Sequence, residues 1–219
     1  MQGLLAQGLL ASDLSAAGDL VVAPVGHVPA SGGTESTALY SLTSDDCCAA
    51  TGLATCTAET YAGLYVKGFT NPNTTTSSTP RMPATPAVTT VERVSIIGDT
   101  WPGSETDIVP TRYVQFAVAP AAGKAWAIDA ISLWAGAAGG SNMGYRIENG
   151  KAADFSDATV LLDSPTNAKD TMVFLSLQPV VTVGAGQTLY IRVLPWLRST
   201  PASGKYLCLQ SLLVHGSVQ

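Results

Sequence analysis

Tyr113-Val-Gln-Phe-Ala-Val118 alternates large apolar side chains with smaller or polar ones, and Leu189-Tyr-Ile-Arg-Val193 repeats the pattern. A period of two gives a strand one face in a core and one face outward. Working out from these stretches, strand signals recur over Ala38–Leu42, Val91–Ile97, Arg112–Val118, Trp126–Trp134, Gly144–Glu148, Thr159–Leu162, Thr171–Leu177, Thr188–Leu194 and Tyr206–His215. Turn residues separate them, including Pro120-Ala-Ala-Gly123, Gly136-Ala-Ala-Gly-Gly140 and Val183-Gly-Ala-Gly186. Short strands at this spacing, with no parallel βαβ unit, predict an all-β, antiparallel, jelly-roll-like β-sandwich with an N-terminal extension.

Composition agrees with that class. The 219 residues are 46% hydrophobic and only 12% charged, with 21 glycines and 13 prolines, which suits strands and turns better than charged helices. Net charge is −5 and no Lys/Arg cluster occurs, so the chain lacks the electrostatic footprint of a nucleic-acid or anionic-membrane binder. No apolar run reaches the ~20 residues of a membrane-spanning helix, so no membrane insertion is expected. The start, MQGLLAQGLLASDL, lacks the basic region of a secretory signal. The expected setting is extracellular or surface-associated, either after loss of a leader or as a virion component.

Residues 1–37 read as an extension and 38–219 as the sandwich domain. The extension carries Gly3-Leu-Leu-Ala6, Gly8-Leu-Leu-Ala11 and Asp19-Leu-Val-Val-Ala-Pro24, too apolar for a solvated tail, and is expected to dock on the body or on a neighbouring subunit. Ser31-Gly-Gly-Thr-Glu-Ser-Thr37 makes a flexible joint. From Asn71 to Thr90, prolines at 72, 80, 83 and 86 exclude helix and central strand and leave a surface loop.

Cys47, Cys48 and Cys56 crowd into one loop, while Cys208 sits in an alternating strand pattern as a small buried residue. One bridge, from Cys47 or Cys48 to Cys56, would pin a Gly/Ala/Thr-rich stretch with little packing of its own and fits an oxidising compartment. The spacing lacks the paired C-x2-C of a zinc site, and the two histidines, His27 and His215, lie in unrelated contexts. No metal and no cofactor are implied.

Ile131-Ser-Leu-Trp-Ala-Gly-Ala-Ala-Gly-Gly-Ser-Asn-Met143, Tyr145-Arg-Ile, Asp154-Phe-Ser156, Thr188-Leu-Tyr-Ile-Arg-Val-Leu-Pro-Trp196 and Gly204-Lys-Tyr-Leu-Cys-Leu209 follow one another in order. Together with Trp101-Pro102 and Arg112-Tyr-Val-Gln-Phe116, this set resembles the β-sandwich module at the end of certain secreted bacterial pectate lyases and pectin esterases, over residues 38–216. The resemblance implies a non-catalytic module that attaches an enzyme to polysaccharide or supports its architecture. No pectinolytic domain accompanies it here.

The sequence has no Gly-x-Ser-x-Gly elbow, P-loop or His-Glu-x-x-His, and two histidines leave few bases for a nucleophile. The carboxylates Glu92, Asp99, Glu105, Asp107, Glu148 and Asp154 read as turn residues or solvated strand edges rather than a glycosidase pair. No catalytic residues are assigned.

Sugar recognition needs aromatic faces with polar groups to orient hydroxyls. The expected ligand-binding residues are Trp101, Tyr145, Trp196 and Arg198, with Arg146 and Trp134 also considered. Trp101 and Trp196 each adjoin a proline at a strand end where a ring can project into a loop. Arg192 and Arg198 flank Pro195-Trp196 and suit the carboxylate of an acidic, pectin-like sugar; Arg192 stacking on Trp196 is the structural alternative. Two partners are therefore in view. One is polysaccharide; the other is copies of the chain itself, as a structural subunit of an extracellular filament, surface layer or virion.

Overall fold

The computed structural model describes residues 32–43, 48–70, 90–139, 143–164 and 171–219. Fifteen strands run through these residues: β1 Thr34–Tyr40, β2 Cys48–Thr51, β3 Ala54–Ala62, β4 Leu64–Thr70, β5 Thr90–Ile96, β6 Thr100–Trp101, β7 Tyr113–Pro120, β8 Trp126–Ala138, β9 Met143–Gly150, β10 Thr159–Ser164, β11 Thr171–Leu177, β12 Val181–Val183, β13 Leu189–Leu197, β14 Ala202–Ser203 and β15 Tyr206–Val218. The described residues contain no helix, and the protein is an all-β sandwich.

One sheet has eight strands, ordered β11-β8-β15-β1-β2, with β12 beside β8, β5 beside β15 and β4 beside β5. The other has five, ordered β10-β9-β13-β7-β3, and β14 pairs with β6 apart from both. All pairings are antiparallel, so short connections suffice.

Alternation builds the core. Val114, Phe116 and Val118 of β7 and Ile191 and Val193 of β13 point inward from the five-stranded sheet. Leu133 and Ala135 of β8 and Leu207, Leu209, Leu212 and Val214 of β15 join them from the eight-stranded sheet. Tyr40 on β1 crosses between the layers: its hydroxyl donates to the Ala117 carbonyl at 2.8 Å and accepts from the Ala117 N–H at 3.2 Å. Those backbone groups lie where the β3–β7 ladder shifts register between Thr57 and Thr60. Burial pushes the Tyr40 hydroxyl up to about 12.

The thirteen-residue β15 keeps leucines inward at both ends although Leu209 and Leu212 are an odd number of positions apart. A register shift between Gln210 and Leu213, with Ser211 at a φ of 51°, resets the alternation.

Cys48 and Cys56 form the disulfide, resolving the choice between Cys48 and Cys47; Cys47 lies outside the described residues. The stretch is not a loop as expected. Cys48 opens β2, the last strand of the eight-stranded order, and Cys56 lies in β3, the last strand of the five-stranded order. The bridge therefore closes one side of the sandwich, with Cα atoms 6.1 Å apart. The expected turn at Gly136–Gly140 also differs, because β8 continues through Ala138 and the reversal begins at Gly139, φ 83°. Residues 34–37, expected in a flexible joint, pair with β15. Residues 1–31, with the Gly-Leu-Leu-Ala repeats and His27, and residues 71–89 lie outside the described residues.

Candidate functional site

Three of the four residues expected to meet a ligand are buried. Trp101 is 0% exposed, Tyr145 2% and Trp196 2%, so none offers a ring face to a sugar. The neighbouring prolines did not turn the indoles outward. Trp101 pairs across from Ala202, its Nε1 donates to the Lys205 carbonyl at 2.9 Å, and the Arg112 guanidinium lies 5.2 Å from its ring. Tyr145 belongs to the core, where burial pushes its hydroxyl up to about 12. Trp196 pairs with Gly144, which has no side chain to hold the indole away from the sheet. Arg198 is the exposed member of the set.

Residues 103–105 tie down the chain after Trp196. Ser104 N–H donates to Ser199 O at 2.6 Å, and Glu105 N–H donates to Leu197 O at 3.0 Å. A Cβ at Gly103 would collide with the Ser199 carbonyl, which explains glycine there at a φ of 69°. Glu105 accepts both terminal nitrogens of Arg112, at 2.8 and 2.9 Å, and also the Leu197 N–H at 2.8 Å.

Around Arg192 and Arg146 the five-stranded sheet carries a polar network bonded to itself. Arg192 lies between the rings of Phe155 and Tyr113, at 3.6 and 3.8 Å, and not on Trp196. Its Nε donates to Gln115 and its Nη2 to the Ala153 carbonyl, at 2.8 and 3.1 Å. Burial lowers its pKa, against the opposing pull of Tyr113 and the carboxylates of Glu148 and Asp154. Burial raises that of Glu148, with Arg192 and Arg146 acting against the shift. Arg146 donates to both Asp107 and Asp163, at 2.9 and 2.8 Å.

The remaining carboxylates weighed from sequence also have structural partners. Asp99 pairs with Lys67 and accepts from Tyr65, and Asp154 accepts the N–H and hydroxyl of Ser156. Glu92 and Glu59 each place Oε1 at 3.2 Å from the Tyr61 hydroxyl. The single O–H of the half-buried Tyr61 donates to one of these carboxylates at a time. No group of three or more His, Cys, Asp or Glu among the described residues is placed to hold a metal ion.

The outer face of the eight-stranded sheet is different. Phe174 on β11 is directly opposite Trp134 on β8, ring centroids 5.4 Å apart, and Phe174 is 40% exposed. Such a pair contributes about 0.5–1.5 kcal/mol beyond its area. One step along the strands, Met172, Gly136, Cys208 and Arg93 stand side by side across β11, β8, β15 and β5. Val91, Ala138, Met172 and Cys208 form a small apolar cluster there, with Trp134 and Tyr206 packed against it. Arg93 lies 5.3 Å over the Tyr206 ring. Its Nε is buried and has no hydrogen-bond acceptor, a deficit of about 1–3 kcal/mol or more for a charged donor.

Half-buried rings beside small residues, with a cation at one end, make a platform that a flat apolar ligand face can cover. Phe174 and Arg93 were not singled out from sequence. The available signal was that both parities of Met172-Val-Phe-Leu175 are apolar, which a strand with one solvated face does not require.

No family model matches the sequence, and no curated protein matches it, so the resemblance to the pectinolytic modules gains no support there. Among solved structures, a CBM4 carbohydrate-binding module aligns at 15% identity over 57% of this chain and 83% of its own, with a TM-score of 0.35. A structure of infectious bursal disease virus, Gt strain, aligns at 10% identity over 84% of this chain and 56% of its own, with a TM-score of 0.30. Overlaps this loose carry no argument about function.

Proposed function

We propose that the chain is a non-catalytic binding module for polysaccharide, and that the outer face of its eight-stranded sheet is the ligand surface. The exposed Phe174, its ring tilted at 55° against Trp134, carries the reading, because aromatic rings on a rigid sheet bind sugar faces at little entropic cost. The Cys48–Cys56 bridge supports an oxidising, extracellular setting. Affinity electrophoresis of the full chain against a panel of plant and microbial polysaccharides tests it. Retardation by at least one polymer, lost in Phe174→Ala, is expected; no retardation by any, or full retardation of the variant, sinks it.

A second reading, self-assembly, draws on a separate observation. Val160 on β10, Val173 and Phe174 on β11 and Val180 before β12 are exposed by 52, 46, 40 and 101%. β10 ends the five-stranded order and β11 ends the eight-stranded order, so Val160, Val173 and Phe174 lie on strands whose outer edge pairs with no other described strand. Light scattering over a concentration series, with electron microscopy of the same samples, separates the readings. Regular polymers would favour assembly, and a stable monomer would favour the glycan module.

A further inference from the structure

We propose that the polysaccharide is acidic, and that Arg93 is the residue that takes the anionic group of a sugar held against Trp134 and Phe174. This rests on the glycan-binding reading above and adds the ligand's charge to it. Arg112, Arg146 and Arg192 are each occupied: the first by Glu105, the second by Asp107 and Asp163, the third by Gln115, the Ala153 carbonyl and two rings. Arg93 lies over the Tyr206 ring, and its buried Nε has no acceptor among the described residues. A guanidinium offers its N–H groups in one plane, which matches a carboxylate or a sulfate oxygen pair.

The surroundings leave that plane in place. Gly68, at a φ of 146°, is opposite Arg93 on β4, and a Cβ there would stand 3.1 Å from Nη2. On the other side Cys208 and then Gly136 separate Arg93 from β11, and Trp134 and Phe174 stand one row along. Two strand spacings, about 10 Å, separate β5 from β8, so the ligand must be an oligomer and not a single sugar. Lys67, the other described cation on β4 near this edge, is already paired with Asp99. Charge complementarity at this place therefore calls for an anion brought by the ligand.

The test is titration calorimetry of the full chain with polygalacturonate, with its fully methyl-esterified form and with a sulfated galactan. Wild type is expected to bind the polyuronate at least tenfold more tightly than the ester, with a preference that shrinks as salt is raised. Arg93→Gln should bring the two polymers within about twofold of each other, whereas Phe174→Ala should weaken both. Equal binding of the sulfated galactan, with the same dependence on Arg93, supports the proposal with sulfate as the source of charge. Indifference of the polyuronate to Arg93→Gln, or polyaspartate competing as well as polyuronate, overturns it while the glycan reading stands. Failure to bind any polysaccharide retires both. If Arg93→Gln does not fold, the Arg93 Nε–H resonance of the wild-type protein decides: it must move with polyuronate and stay still with the ester.

Discussion

His215 Nδ1 lies 2.7 Å from Oδ1 of Asp129, and the contact exists because Asp129 is the extra residue of a β-bulge. His215 pairs with Ala130 and Gly216 with Ile128, so Asp129 is left over and its carboxylate is aimed at the imidazole. His215 Nε2 reaches Glu35 on β1 at 3.2 Å, so one ring spans three strands.

Burial alone would lower the His215 pKa, but hydrogen bonds and charge from Asp129 and Glu35 outweigh it and raise the value above 6.5. A raised pKa contributes stability that is fully present below about 6.5, the unfolded value, and is lost as pH rises through the folded value. The His215 resonance should therefore titrate above the ordinary histidine range, and the denaturant midpoint should fall as pH passes that point. Asp129→Asn should bring the titration back down; an unmoved midpoint in that variant would remove the basis for the prediction.

Reduction of Cys48–Cys56, or Cys56→Ala, should cost about 2–3 kcal/mol, the loop-closure effect for a separation of 8 residues. Urea denaturation with and without reductant reads it. Equal midpoints would mean that the two sheet edges hold together without the covalent tie.

Glu105 and Arg112 are 12% and 8% exposed and bonded at two atoms each. Removing one partner leaves the other buried and uncompensated, so Glu105→Ala should destabilise by about 3–5 kcal/mol. Arg112→Lys should recover only part of the stability lost in Arg112→Ala, because an ammonium has no fork to match the carboxylate. Full recovery by lysine would show that charge alone suffices.

Trp101→Ala and Trp196→Ala should each lose about 3–5 kcal/mol of stability as core truncations. Trp101→Phe, which keeps most of the ring, should retain whatever glycan affinity the wild type has. Melting curves and affinity electrophoresis on the same preparations check both points. A stable Trp196→Ala protein with abolished binding would return the ligand site to the position expected from sequence.

The sequence by itself determined the class of fold and most of its strands. Thr171–Leu177 falls on β11 residue for residue, and eight other expected strands each meet an observed one, because a half-buried strand writes its period into the order of its residues. The segment 48–70 was illegible for the same reason: the Thr and Ala residues of β2 and β3 alternate too weakly in size and polarity to mark them, and in β4 the adjacent Leu64, Tyr65 and Val66 break the period of two. Which face each aromatic ring occupies was decided only by tertiary structure. Trp101 and Trp196 carry the same local signal as an exposed ring, yet both are buried in the folded chain, while Phe174 stays open on β11. Bulges at Asp129 and Ser211 change which side chains share a face, and a bulge depends on the partner strand's register, which no single stretch of sequence contains.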